Sequence, residues 1–272
     1  MQTVLFTKLF KGVELAEVAR RIRDIGFDGI DLLIRNGHQL EPAKPREIAT
    51  AITTIKGFGL TVPMATCDVS DAADPVAEPM FAACHAAGVR VIRMGYYAYD
   101  PSEGYDHAVS NARRKLEGLE RLAEKTGQQL ALQIHGGTIH GSGAQAAVLL
   151  KDRNPNFIGV YPDPGNQSVQ EGREDWRFTF EVLKPWICCV GVKNGGWFPG
   201  KLNAMGQRIW ASDWLGLSEG MVPWDQILTQ LKSDGFTGIL TVHGPYEMGL
   251  EQAVDQLGSD LSYIRRVTGA AK

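Results

Sequence analysis

Cysteine is scarce in this chain of 272 residues. The four present, Cys67, Cys84, Cys188 and Cys189, form no C-x-x-C pair, and the last two are adjacent. That pattern excludes a zinc knuckle and a disulfide scaffold; buried, inert thiols in a reducing cytoplasm are expected. Long apolar runs are also missing. No stretch reaches the ~18 consecutive apolar residues of a membrane span, and Met1 to Lys8 shows no secretion signal. Basic residues are not clustered and the net charge is −3, which argues against a nucleic-acid surface. Nor does a Gly-rich phosphate loop follow the first apolar run: Lys8-Leu-Phe-Lys-Gly12 is not one, and an open dinucleotide-binding sheet loses its main support.

What is present is one repeated unit. A short apolar run precedes an amphipathic segment, then a Gly, then the next apolar run. Strands are predicted over 3–9, 29–34, 60–66, 89–94, 129–134, 157–161, 187–192 and 238–242. Helices are predicted over 14–25, 48–58, 76–87, 111–125, 144–150, 176–183, 224–232 and 250–267. The segments Gly26-Phe-Asp-Gly-Ile30 and Gly235-Phe-Thr-Gly-Ile239 repeat the same helix-to-strand joint. Eight such units without a linker predict one α/β domain over residues 1–272, a (β/α)8 barrel. A long unstructured loop is expected from Lys193 to Pro223. It carries Trp197, Trp210 and Trp214, whose faces suit a sugar ring and suggest a substrate lid or a packed interface.

A barrel of this kind works where its strands end, on the C-terminal face. The polar residues expected there are Lys8; Asp31, Arg35 and His38; Thr66 and Asp68; Arg93 with Tyr96, Tyr97 and Tyr99; Gln133, His135 and His140; Tyr161, Asp163 and Asn166; Lys193 and Asn194; and Thr241, His243, Tyr246 and Glu247. Four of the six histidines, His38, His135, His140 and His243, fall just after strands. Imidazoles and a carboxylate meeting in one pocket can move protons or hold a divalent ion.

Several of these segments resemble the sugar phosphate isomerase/epimerase superfamily, the xylose-isomerase-like barrels. The resemblance spans nearly the whole chain. Its most specific pieces are Gly26-Phe-Asp-Gly-Ile-Asp-Leu32, Arg93-Met-Gly-Tyr-Tyr97, Gln133-Ile-His135, Tyr161-Pro-Asp163, Gly191-Val-Lys-Asn194 and Glu219-Gly-Met-Val222. Such enzymes hold a divalent metal with a Glu ending strand five, an Asp ending strand six, a His on strand seven and a Glu ending strand eight. At the matching positions this chain has Gln133, Asp163, Gly191 and His243, so a mechanism built on two glutamates does not carry over. Lys193 keeps a Lys common two residues after the strand-seven position, and Asn166 stands where a His often follows the strand-six Asp.

The resemblance implies a cytoplasmic enzyme acting on a small carbohydrate, with proton abstraction beside a carbonyl. Isomerisation, epimerisation, or β-elimination by a lyase on an oxidised glycoside would follow. Expected catalytic residues are His135, His243 and Lys193. Arg35, His38, Arg93, Asn166, Trp197 and Glu247 are expected to bind substrate. Asp163 and His243, completed by His135 or Gln133, are expected to hold a divalent ion such as Mn2+, Mg2+ or Zn2+, with Gly191 leaving a gap for water or substrate. Self-association is expected from the family. The alternative is a catalytically degraded sugar-binding or partner subunit that keeps the barrel. The DNA-repair endonuclease branch is disfavoured by the lack of a basic groove.

Overall fold

A computed structural model describes residues 1–170 and 174–270. Eight parallel strands form the barrel: β1 (Gln2–Phe6), β2 (Gly29–Leu33), β3 (Thr61–Thr66), β4 (Val91–Arg93), β5 (Gln129–Gln133), β6 (Ile158–Tyr161), β7 (Cys189–Val192) and, after an inserted hairpin, β10 (Ile239–Val242). Their order is β6-β5-β4-β3-β2-β1-β10-β7. The remaining seam joins β6 to β7 through the parallel bridge Val160–Ile187 and bonds from Cys188 N to Val160 O (3.2 Å) and Gly191 N to Pro162 O (2.8 Å). The chain is a single, nearly closed (β/α)8 barrel.

The helices follow their apolar stripes. In α1 (Leu15–Ile25), Val18, Ala19 and Ile22 are buried against the strands. The helix stops at Gly26, whose φ of 103° is left-handed. The repeated joint seen in the sequence has one physical cause. Gly26 and Gly235 (φ 70°) both turn the chain. The glycines that follow, Gly29 and Gly238, then let the next strand pass close: a Cβ at Gly238 would lie 2.7 Å from Cys188 O, and one at Gly29 would strike Thr61. The other helices are α2 (Arg46–Gly57), α3 (Ala77–Ala86), α4 (Tyr105–Thr126), α5 (Gly143–Leu150), α6 (Pro164–Val169), α7 (Trp176–Leu183), α8 (Trp224–Ser233) and α9 (Leu250–Thr268).

Two expectations need correction. The span 193–223 is not an unstructured loop. Its first part is an antiparallel hairpin, β8 (Asn194–Leu202) and β9 (Arg208–Leu215). Most of the hairpin is solvent-exposed, so it lacks the buried-face alternation that marks a strand in sequence. Buried Asn194 anchors its base: its amide donates to Leu217 O and Val222 O, and its oxygen accepts from Gly195 N and Val222 N. The helix α6 was also unforeseen. It is short and starts on a cap, with Asp163 accepting from Asn166 N at 2.8 Å and Pro164 in its first turn.

Strand alternation divides the barrel interior into layers. Val4, Met64, Val91, Ala131, Cys189 and Ile239 pack as an apolar floor, capped by the ring of Tyr161. Two residues further along the strands the inward positions turn polar: Thr66, Arg93, Gln133 and Thr241, all buried. The floor closes one end of the barrel, so these polar groups point toward the mouth at the strands' C-terminal ends.

Candidate active site at the barrel mouth

Asp163 is the hub of the mouth and is fully buried. Its Oδ1 accepts from Asn166 N, and its Oδ2 accepts from Gln133 Nε2 at 2.7 Å. The Lys193 ammonium lies 3.5 Å from the same Oδ2. The Gln133 oxygen in turn accepts from Tyr96 OH at 2.7 Å, and Tyr96 lies under Arg93, 4.6 Å from ring centroid to guanidinium. Burial pulls the Lys193 ammonium below its usual range, and the Asp163 charge opposes that pull.

His243 sits beside this cluster in a different role. Its Nε2 is 2.6 Å from Tyr161 OH and its Nδ1 3.0 Å from Tyr246 OH. Burial, then Lys193, Arg93 and Lys8, holds its pKa well below the ordinary imidazole range. The ring is therefore neutral, giving one hydrogen to one tyrosine and accepting one from the other. Below it, buried Asp31 accepts from Thr66 (2.9 Å) and Thr241 (3.0 Å), and burial raises its pKa to about 6.

Gln133, Asp163, Lys193 and His243 thus converge at the mouth, as the strand ends suggested. His135 joins them, its ring 4.5 Å from that of Tyr96. Its Nδ1 meets Gly136 O at 2.8 Å, which leaves Nε2 as the basic nitrogen, and burial lowers its pKa. His140 does not join. It is fully buried, with Nδ1 on Gln133 O (3.0 Å) and Nε2 accepting from Tyr97 N (3.2 Å). Burial takes its pKa to about 3, so it is a structural, neutral ring that braces the strand-five loop.

The expected substrate contacts separate. Arg93 is buried in the barrel, donating to Cys67 O and Met94 O. Arg35 forms an ion pair with Asp68, Nε to Oδ2 2.6 Å, at the rim. Lys8 lies over the Tyr246 ring at 4.5 Å, and its pKa falls through burial and the nearby Arg35, Lys193 and Arg93 charges. His38 is half-buried near Arg35, Lys11 and Lys8. Asn166 is buried, donating to Ile134 O at 2.9 Å, and its own Oδ1 has no hydrogen-bond partner among the described residues. Trp197 ties the hairpin to α6 through Ser168 O at 2.8 Å. Trp214, not Trp197, covers the site: Lys193 Nζ lies 4.5 Å from its ring, and both line a narrow cleft with His243, Pro245 and Tyr246. Glu247 is exposed in the turn beyond Tyr246.

Sequence reasoning set Tyr161 and Tyr246 at the strand ends and Trp214 in a lid or packed interface, but gave none of the three a named partner or role. Tyr246 follows His243 by three residues, and Tyr161 is the strand-six partner of Gln133. Only the register and the hairpin's fold bring all three to Lys193 and His243.

The strand-seven glycine does not leave a gap. A Cβ at Gly191 would lie 2.5 Å from the Tyr161 ring and 2.7 Å from Asp163 Oδ2. Its space is filled by the two side chains that define the site.

The four expected metal ligands do not fit a divalent ion as they are arranged. The Asp163 oxygens face donors, namely two N–H groups and an ammonium, and both nitrogens of His243 face tyrosyl hydroxyls. Among the described residues no three His, Cys, Asp or Glu side chains are grouped as metal ligands would be.

A parallel barrel with an acid, a lysine and imidazoles at its C-terminal mouth defines a class of small-molecule active sites. The chain belongs to the xylose isomerase-like TIM barrel family, whose model matches residues 19–267. Solved structures similar to it include a xylose isomerase domain protein from Planctomyces limnophilus, at 19% identity, covering 99% of both chains with TM-score 0.73. Another is a xylose isomerase-like TIM barrel protein from Mycobacterium smegmatis in complex with magnesium, at 19% identity, covering 99% of this chain and 97% of that one, TM-score 0.71. A third is the 3-keto-D-glucoside 4-epimerase of E. coli, at 15% identity, covering 98% and 99%, TM-score 0.71. No curated protein matches the sequence. No helix among the described residues is long and apolar enough to cross a membrane.

Proposed function

We propose that the protein is an enzyme that removes a proton from the carbon beside a carbonyl of a small keto-sugar or related polyol. Reprotonation gives isomerisation or epimerisation, and loss of a β substituent gives elimination. The observation that carries this reading is that one polar network at the mouth holds both groups: Lys193 pairs with Asp163, which Gln133 links to Tyr96, and the His135 ring packs 4.5 Å from that of Tyr96. In the proposed step the C–H proton passes to His135 Nε2. The C–H bonding pair forms a double bond to the carbonyl carbon, the carbonyl π pair shifts onto its oxygen, and that developing enolate oxygen accepts from the Lys193 ammonium. His243 suits this work less well, because both its nitrogens are engaged by tyrosines; it positions Tyr246 at the cleft. Arg35, His38 and Lys8 lie at the rim, where they would meet substrate hydroxyls or an anionic substituent. The fold neighbour that epimerises a 3-keto-glucoside makes 3-keto-glycosides and ketohexoses the first compounds to test.

The test is deuterium incorporation from D2O into each candidate sugar, followed by NMR. Wild-type protein should exchange a proton adjacent to the carbonyl, and His135→Ala should lose that exchange while keeping its fold. No exchange with any keto-sugar would favour the second reading, a sugar-binding subunit, which the narrow, internally bonded mouth supports.

A further inference from the structure

The charge at the mouth is already balanced by the chain itself. Asp163 is fully buried and faces Lys193, whose side chain is 11% exposed. Lys193 is clamped from three sides. Trp224 Nε1 donates to its carbonyl at 2.9 Å, Trp214 covers its ammonium, and α6 packs against it at Gly165, where a Cβ would come within 2.7 Å of Lys193 O. Strand seven can add no donor here, since any side chain at Gly191 would enter the volume of Tyr161 and Asp163. Around this pair stand three further cations, Lys8, Arg35 and Arg93, and among the described residues the further carboxylates there are Asp31, Asp68 and, lining the cleft, Asp260. Each of those carboxylates is already engaged by its own donors, Asp31 by Thr66 and Thr241, Asp68 by Arg35 and Asp260 by Leu217 N and Gln256, so none stands free to hold a second cation.

We infer that Lys193 is the resident cation of this site: its ammonium takes the place beside Asp163 that a divalent metal would need, and the protein works at the mouth without one. The inference rests on the proton-abstraction reading for its chemical meaning. There the fixed ammonium supplies the electrophilic, hydrogen-bonding partner for the enolate oxygen. Its geometric claim concerns ion binding alone.

The experiment reads ion binding apart from turnover. Chelator-dialysed full-length protein is titrated with Mn2+ and with Mg2+ by calorimetry, and free Mn2+ is followed by electron paramagnetic resonance. Wild-type protein should show no saturable one-site binding in the micromolar to low millimolar range. Lys193→Met, which leaves the Asp163 carboxylate uncompensated, should bind Mn2+ at least about tenfold more tightly than wild type. That is the least expected when one positive charge near a divalent ion is removed, even at the screening of bulk water. Stoichiometric Mn2+ binding by wild type that disappears in Asp163→Asn would overturn the inference, whether or not Lys193→Met folds. The two proposals fail separately. Ion binding together with deuterium exchange would sink this inference and spare the enzyme. Neither ion binding nor exchange would sink the enzyme and spare the built-in cation.

Discussion

Removing the Asp163 carboxylate tests the centre of the site directly. The group holds three partners: Asn166 N at 2.8 Å, Gln133 Nε2 at 2.7 Å and the Lys193 ammonium at 3.5 Å. In Asp163→Ala the ammonium is left buried without its counter-charge, a change that costs about 3–5 kcal/mol when a buried pair loses one member. Loss of the α6 cap adds about 0.5–2 kcal/mol. These effects share one carboxylate and do not sum, so the expected loss is about 3–5 kcal/mol. At roughly 2–4 °C per kcal/mol for a domain of this size, the melting temperature should drop by roughly 6–20 °C. Adding Lys193→Met to Asp163→Ala removes the stranded charge and should recover about 1–3 kcal/mol. In the single variant the Lys193 pKa falls further, because the Asp163 charge that raises it is gone. The unfolded chain then binds more protons than the folded one up to the free lysine value of about 10.4, so the variant's stability should rise with pH toward that value. Urea melts and circular-dichroism thermal scans of the four proteins of this double-mutant cycle supply the numbers. A loss below about 1 kcal/mol, or no recovery on adding Lys193→Met, would refute the claim that Asp163 and Lys193 form a stabilising buried pair.

Two further outcomes follow from the same geometry. Gly191→Ala should destabilise the barrel by about 1–3 kcal/mol through overpacking against Tyr161 and Asp163, seen as a lower denaturation midpoint; an unchanged midpoint would mean that the strand-seven space is open after all. Asp31, with its pKa raised to about 6, binds more protons folded than unfolded between about pH 4 and 6, so its contribution to stability is lost as pH rises through that window. Asp31→Asn should therefore equal or exceed wild type by about 1–3 kcal/mol above pH 7, with the advantage shrinking toward pH 4 in urea melts; a variant less stable at pH 8 than at pH 4, relative to wild type, would contradict the burial argument.

The barrel itself was legible along the chain, because it rests on local rules. Strands such as Ile158–Tyr161 are buried on both faces and read as apolar runs, while α1 and α4 carry apolar stripes that must pack against the rest of the fold. Gly26 and Gly235 mark their turns because no other residue adopts that backbone as cheaply. Period two placed Gln133 and His135 on one side of a strand, and the strand-end rule placed Asp163, Lys193 and His243 at one mouth. What each group faces was decided only in three dimensions. No spacing in the sequence distinguishes His140, wedged under the strand-five loop, from His135, packed on Tyr96 at the mouth. None shows that Gly191 is filled by Tyr161 and Asp163, that both nitrogens of His243 are engaged by tyrosines, or that Lys193 stands against Asp163. Those facts depend on register between strands far apart in the chain and on a hairpin whose exposed strands leave little periodic signal. The charge state and partner of a buried group follow from its neighbours in space, which the local pattern of a chain does not encode.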